Sequence, residues 1–503
     1  MAHDNQSLMK PTLDKDLAKI SRMEQATTMV SRGFVAPGLG VVFLLLSLVF
    51  ASTYVTGEPG SAIILTAVVI GAYMALNIGA NDVANNVGPA VGSKALSLGG
   101  AIVIAIIFES AGALIAGGDV VSTISKGIID PTSVADADIF IWAMMAALIS
   151  AALWINLATW IGAPVSTTHS VVGGVMGAGI AAAGLSAVNW PTMGSIAASW
   201  VISPLLGGII AAGFLAFIKT AIIYQDDKIA AARRWVPLLI SIMAGVFASY
   251  LALKGLKKII KIDMTTALMI GFGVAALSML ITRPLIRRQS QGMDNRNQSL
   301  RTLFNIPLVF SAALLSFAHG ANDVANAVGP LAAIVHTAQF GGVVAKVTIP
   351  MWVMVIGAFG ISFGLLLFGP KLIRMVGQQI TRLNPMRAYC VALGAAITVI
   401  IASGLGLPVS STHIAIGGVF GVGFFREWYT KSSRRRRAYV SAINNNDDPL
   451  AHDEPDDTYE QPMARKLVRR SHFMTIIAAW VITVPASATL SALIFLALCH
   501  YFV

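Results

Sequence analysis

Charge is what this sequence has least of. Only 12% of its 503 residues are Asp, Glu, Lys or Arg, against about 25% in ordinary soluble domains. Hydrophobic residues make up 56%, and the mean hydropathy is +0.75. So few charges cannot cover so much apolar surface in water, which excludes a soluble enzyme and a disordered chain. Cysteine is nearly absent too. Cys390 and Cys499 lie in separate apolar runs, so there is no disulfide framework and no metal-ligand spacing. Residues 1–33 lack the apolar core and cleavage site of a signal peptide. They read as a cytoplasmic N-terminal segment. The net charge of +11 would suit nucleic acid in a soluble chain. In a membrane protein it is what basic cytoplasmic loops produce.

Long apolar runs are abundant. They fall near 34–55, 62–78, 98–118, 139–161, 166–184, 196–222, 236–253 and 265–282, then 303–319, 344–369, 388–404, 411–425 and 473–500. A span needs about 20 residues. The runs 62–78, 166–184, 303–319 and 411–425 are shorter, with Gly, Pro, Asn, Ser or Thr at their ends. They predict helices that stop inside the membrane. The fold class expected is an all-α polytopic membrane protein with about 12 membrane segments, broken helices and re-entrant hairpins.

The chain repeats itself. Gly79-Ala80-Asn81-Asp82-Val83-Ala84-Asn85 recurs as Gly320-Ala321-Asn322-Asp323-Val324-Ala325-Asn326, an offset of 320 − 79 = 241. Pro164-Val165-Ser166-Thr167-Thr168-His169 recurs as Pro408-Val409-Ser410-Ser411-Thr412-His413, offset 408 − 164 = 244. Trp200-Val201-Ile202 recurs as Trp480-Val481-Ile482, offset 480 − 200 = 280. The last jump locates an insertion in the second copy, the polar stretch 426–472.

Charge gives the orientation of the copies. Residues 119–138 carry four Asp and one Lys, whereas the corresponding 370–387 carries Lys371, Arg374, Arg382 and Arg387. Residues 185–195 are uncharged, but their counterpart 426–472 contains Arg434 to Arg437. Because Lys and Arg prefer the cytoplasmic side, corresponding loops are expected on opposite faces, and the two repeats are expected to be inverted. The Lys residues at 254, 257, 258 and 261 fall on the predicted outer side and run against this rule. The organisation expected is 1–33 as N-terminal segment, 34–222 as a first transmembrane half containing repeat 1 (62–222), 223–301 as two connecting helices and a basic linker, and 302–503 as the second half with its loop 426–472.

Asp82 and Asp323 each end an apolar run. An unpaired carboxylate there is costly, on the order of several kcal/mol. With Asn81, Asn85, Asn322 and Asn326 they supply the oxygen ligands that suit a hard cation. Glu109, in an apolar run of its own, is a further coupling-ion candidate without an acidic equivalent in the second copy. Gly88-Pro89 and Gly329-Pro330 are expected to interrupt their helices and free backbone carbonyls. Ser166, Thr167, Thr168 and Ser410, Ser411, Thr412 each open a short Gly-rich helix. Ser and Thr cap helices, and a helix N-terminus attracts an anion. Two carboxylates beside a phosphate-like anion leave a charge of −3 or −4, which Lys94 could offset by one unit. Such a cluster needs cations to enter with the anion. His169 and His413 end the Ser/Thr motifs and read as packing residues, with proton coupling as the alternative. His319 stands where the first copy has Ile78.

The paired motifs at 79–85 and 320–326, and at 164–169 and 408–413, resemble those of the PiT family of inorganic phosphate transporters. The resemblance spans about 62 to 500. It implies a midplane site between inverted repeats, a homodimer, and an inner-membrane phosphate importer. It also implies that Asp82, Asn85, Asp323 and Asn326, with the Ser/Thr residues of both elements, line the phosphate and coupling-ion sites. Taken with the residue chemistry above, Asn85, Asn326 and the Ser/Thr residues are expected at the phosphate, and Asp82, Asp323, Asn81, Asn322 and Glu109 at the coupling ion. No catalytic residue, cofactor, nucleic-acid partner or metal beyond the transported cation is expected. Sodium is the expected ion because the Gly-Ala-Asn-Asp form resembles the sodium-coupled members; a proton is the alternative. Symport of sulfate or metal phosphate on the same fold, and more remotely an intramembrane aspartyl enzyme, are the rival readings.

Overall fold

The computed structural model describes residues 34–130, 133–134, 136–161, 165–255, 262–341, 349–375, 383–432 and 470–502. Among these residues the regular structure is helical, and only a single bridge, Ile129 to Val188, pairs extended segments. The first part comprises α1 (Phe34–Val55), α2 (Ser61–Asn81), α3 (Ala84–Gly92), α4 (Leu98–Ala116), α5 (Gly118–Lys126), α6 (Ala137–Ile161), α7 (Thr167–Ala183) and α8 (Trp190–Ile218). A connecting pair follows, α9 (Lys228–Lys254) and α10 (Met264–Gln289), with the short α11 (Asn297–Leu303). The second part comprises α12 (Asn305–Phe340), α13 (Met351–Met375), α14 (Pro385–Gly404), α15 (Ser411–Ser432) and α16 (Arg470–Phe502). Eleven described helices are long and apolar enough to cross a membrane. The chain is a multi-pass membrane protein.

The two halves are packed through each other. α2 lies on α13 as α12 lies on α4, and α7 lies on α16 as α15 lies on α8. The contacts are reciprocal to the residue. A Cβ on Gly79 would overlap the Ile361 carbonyl, and one on Gly320 the Glu109 carbonyl. Likewise Gly112 meets the Phe317 carbonyl and Gly364 the Leu76 carbonyl; Gly177 meets Ala488 and Gly421 meets Gly208. Only glycine lets backbones approach this closely. The repeated helices α2 and α12 run antiparallel: Gly60 faces Ala338, Gly71 faces Leu331, and their Asp residues share one site.

The structure corrects several sequence expectations. The 303–319 run is not a short segment. α12 continues for 36 residues through Gly320 and Pro330, and 29 of these residues are buried. Gly329-Pro330 does not interrupt it, nor does Gly88-Pro89 interrupt α3. Proline still removes an N–H, so the carbonyls of Asn85 and Asn326 lose their usual i+4 donors without a break. The first copy breaks earlier, at Asp82-Val83, where Asn85 and Asn86 donate to the carbonyls three residues back. The polar stretch 426–472 begins inside α15 and ends inside α16, and its centre, 433–469, lies outside the described residues, as does 1–33. The basic linker 283–301 is largely helical, because α10 extends to Gln289 and α11 starts at Asn297. Lys254 has a local reason for its position: it pairs with Asp119 and reaches the Gly404 carbonyl at 3.3 Å. Lys257, Lys258 and Lys261 lie outside the described residues.

Candidate functional site: a buried carboxylate–hydroxyl cluster

The breaks and turns of four helices converge on Asp82 and Asp323. Ser166 accepts from the His169 amide at 3.2 Å and starts α7. Ser410 does the same for α15, accepting from the His413 amide at 3.4 Å. The residues after each cap point their hydroxyls at the aspartates. Thr167 donates to Asp82 Oδ2 at 2.6 Å, and its counterpart Ser411 donates to Asp323 Oδ2 at 3.4 Å. The asparagines cross between halves. Asn85 Nδ2 donates to the Thr412 hydroxyl at 2.9 Å, and Asn326 Nδ2 to the Thr168 hydroxyl at 3.2 Å. Thr412 passes a bond to Asp82 Oδ1 at 3.3 Å, while Thr168 donates to the Val409 carbonyl at 3.1 Å. Asp82 and Asp323 are 3% and 1% exposed. Burying two carboxylates costs several kcal/mol each unless donors or cations face them.

All eight residues expected at the anion site therefore come together, and several of their hydroxyls already serve other groups. Ser166 and Ser410 serve as caps, and Thr167, Ser411 and Thr412 already serve the carboxylates. The coupling-ion candidates divide. Asn322 holds the turn before α15: its Nδ2 donates to Ser403 Oγ and to the Leu407 carbonyl, and its Oδ1 accepts from the Val409 amide. That makes it a positioning residue for Ser410 to Thr412. Asn81 Nδ2 is buried with no hydrogen-bond partner among the described residues. Lys94, exposed beyond α3, offsets no charge here.

Glu109 is 1% exposed and accepts from Asn86 Nδ2 at 2.8 Å. Its other oxygen lies 2.8 Å from His319 Nδ1, and His319 Nε2 lies 2.8 Å from Asp323 Oδ2. The sequence reading placed neither Asn86 nor His319 in the site. A signal was present in the differences between copies. His319 and Asn86 match Ile78 and Ala327 at the offset of 241. Glu109 matches Ile361 through the reciprocal glycine contacts. One side of the site, built from both halves, thus carries an Asn86–Glu109–His319–Asp323 chain where the matching positions hold Ala327, Ile361, Ile78 and Asp82. His169 and His413 take the packing role: their rings meet edge to face at 4.8 Å, and His169 lies 3.9 Å from the Trp200 ring, whose Nε1 donates to the Pro408 carbonyl.

Helices packed through each other around a buried pair of aspartates form a polytopic membrane protein with a polar site in its interior. Comparison with known proteins specifies it. Residues 78–491 match the PHO4 model, described as the phosphate transporter family, and the chain belongs to that family of phosphate carriers. A protein of Helicobacter pylori (strain ATCC 700392 / 26695) named as a phosphate permease is 45% identical, over 96% of this chain and 98% of its own. A protein of Pyrococcus abyssi with the same description is 36% identical, over 86% and 97%. Among solved structures, one titled "The sodium-dependent phosphate transporter" superimposes with a TM-score of 0.75 at 32% identity, covering 87% of this chain and 99% of that one. Phosphate transport across a membrane is the activity these relations support, and it is not enzymatic.

Proposed function

We propose that the protein imports inorganic phosphate across the inner membrane by sodium-coupled symport, with alternating access to the Asp82–Asp323 site. The observation that carries this reading is that the same hydroxyls a phosphate would use already donate to the two carboxylates. Anion and carboxylate compete for Thr167, Ser411 and Thr412. A cation bound to a carboxylate relieves that competition, so cation entry and anion entry assist each other. Sodium suits the hydroxyl and carboxylate oxygens of Thr167, Thr412 and Asp82, and the structural neighbour is named a sodium-dependent phosphate transporter. The proline-freed carbonyls of Asn85 and Asn326 supply further oxygens. The repeats lie inverted across the membrane in this reading, consistent with the antiparallel α2 and α12 and with the opposite loop charges. The working assembly is a homodimer, as the family resemblance implies; light scattering that finds only monomers in a native-like bilayer removes that element.

The test is radiolabelled phosphate uptake into proteoliposomes with imposed sodium or proton gradients. Uptake that follows the sodium gradient supports the reading. Uptake that follows only the proton gradient replaces the coupling ion. Competition by sulfate, run with and without sodium, checks the anion. Excess sulfate is expected to leave phosphate uptake unchanged, because a site with carboxylate acceptors can take the proton that hydrogen phosphate carries and sulfate lacks.

A further inference from the structure

The Asn86–Glu109–His319–Asp323 chain is more than the symmetric site needs. The matching positions hold Ile78, in the first half, and Ile361, in the second, so paired aspartates and hydroxyls require no imidazole. Sodium does not explain His319, since hard cations take oxygen ligands and imidazole suits the borderline transition metals. The hydrogen-bond arithmetic is equally specific. When His319 Nδ1–H donates to Glu109 Oε2 at 2.8 Å, a neutral ring turns the lone pair of Nε2 toward Asp323 Oδ2, also at 2.8 Å. Two acceptors at that distance need a cation between them, either a proton or a metal ion.

We infer that His319, Asp82 and Asp323 form a site for a divalent transition-metal cation, separate in chemistry from the sodium reading. One ligand atom from each residue lies within 4.8 Å of the others, and all three side chains are buried. Two further oxygens point to a missing ligand. Asp323 Oδ1 and Asn326 Oδ1 are buried without hydrogen-bond partners among the described residues. A histidine that binds metal through one nitrogen commonly donates the other N–H to a carboxylate, which fixes its tautomer. Glu109 stands in that position, itself held by Asn86. One imidazole nitrogen and two carboxylates form the His/Asp donor set that zinc accepts, with its fourth position left for water or an anion. A metal held there occupies both aspartates and blocks sodium-driven uptake.

Zinc ion is the probe. The purified, chelator-treated protein in lipid nanodiscs is titrated with zinc by calorimetry, and the loaded protein is read by zinc-edge X-ray absorption. One zinc per chain is expected, with one imidazole nitrogen and otherwise oxygen in its shell. His319→Ile, which installs the residue of the matching position in the first half, is expected to lose that zinc. Glu109→Gln is expected to weaken it by about 10- to 100-fold. A folded wild-type protein that binds no zinc, a shell of oxygens alone or of several imidazoles, or unchanged stoichiometry and affinity in His319→Ile overturns the proposal. The absorption reading on the wild type stands even if His319→Ile does not fold. Because binding is measured directly, failure of phosphate transport leaves the result intact.

Discussion

Asp82 and Asp323 occupy equal places in the duplicated motif but unequal surroundings. Asp82 accepts from two hydroxyls, Thr167 and Thr412, while Asp323 has one long hydroxyl contact and the His319 ring. Asp82→Asn and Asp323→Asn are each expected to cut sodium-driven phosphate uptake by at least about tenfold, since hydrogen bonds to charged groups contribute about 1.5–3 kcal/mol. Uptake at the wild-type rate in both variants removes the site. The Glu109–His319 pair gives a second expectation. Glu109→Ile leaves the buried His319 Nδ1 without its partner, with Asp323 alone on the other side of the ring, and breaking a buried pair costs about 3–5 kcal/mol. The double variant Glu109→Ile/His319→Ile restores the aliphatic chemistry of the matching positions. It is expected to melt at a higher temperature than Glu109→Ile alone, as read by thermal unfolding in detergent. The aspartates, asparagines and hydroxyls were legible in the sequence because they are duplicated. Asn86 and His319 were not, because their meaning lies in the copies being different there.

At the level of elements, packing is carried by glycine. The backbones of α4 and α12 meet where Gly320 faces Glu109, and those of α2 and α13 where Gly79 faces Ile361. A Cβ at these places would lie 2.1 Å and 1.8 Å from a carbonyl oxygen. Gly320→Ala and Gly79→Ala are expected to lower the melting temperature and the folded yield, with overpacking costs of about 1–3 kcal/mol. Gly213 in α8, where an added Cβ meets nothing within 4 Å, is the control: Gly213→Ala is expected to be neutral or slightly stabilising, in line with the higher helix propensity of alanine. Helix continuity was where sequence reasoning failed. Gly and Pro at 329–330 predicted a break, yet α12 runs through them. Its side chains are buried in protein along nearly the whole length, and that packing holds the helix despite the lost N–H.

Across the whole molecule, the connecting pair α9–α10 touches the transport core through Lys254, which ties Asp119 of α5 to the Gly404 carbonyl at the end of α14. Thr123 of α5 donates to the neighbouring Gly406 carbonyl at 2.7 Å. These contacts hold the turn that leads into Ser410 to Thr412. In the proposed topology residue 58 lies outside and residue 291 in the cytoplasm. On a background with Cys390 and Cys499 replaced by Ala, Glu58→Cys and Gln291→Cys are expected to react with a membrane-impermeant thiol reagent from opposite sides of sealed vesicles. Labelling of both residues from the same side overturns the topology argued from the loops.

The sequence by itself determined that the chain is a helical membrane protein, that it is duplicated, and which residue types recur in apolar surroundings. Composition and internal repetition are one-dimensional properties, so they can be read from the chain alone. Only the tertiary structure decided which copies meet. Asn85 reaches Thr412 across 327 positions and Asn326 reaches Thr168 across 158. Contacts at such separations depend on how the halves interpenetrate at their glycines. The same packing set Glu109 against His319, 210 residues apart, and so turned two isolated polar residues in apolar runs into one buried chain.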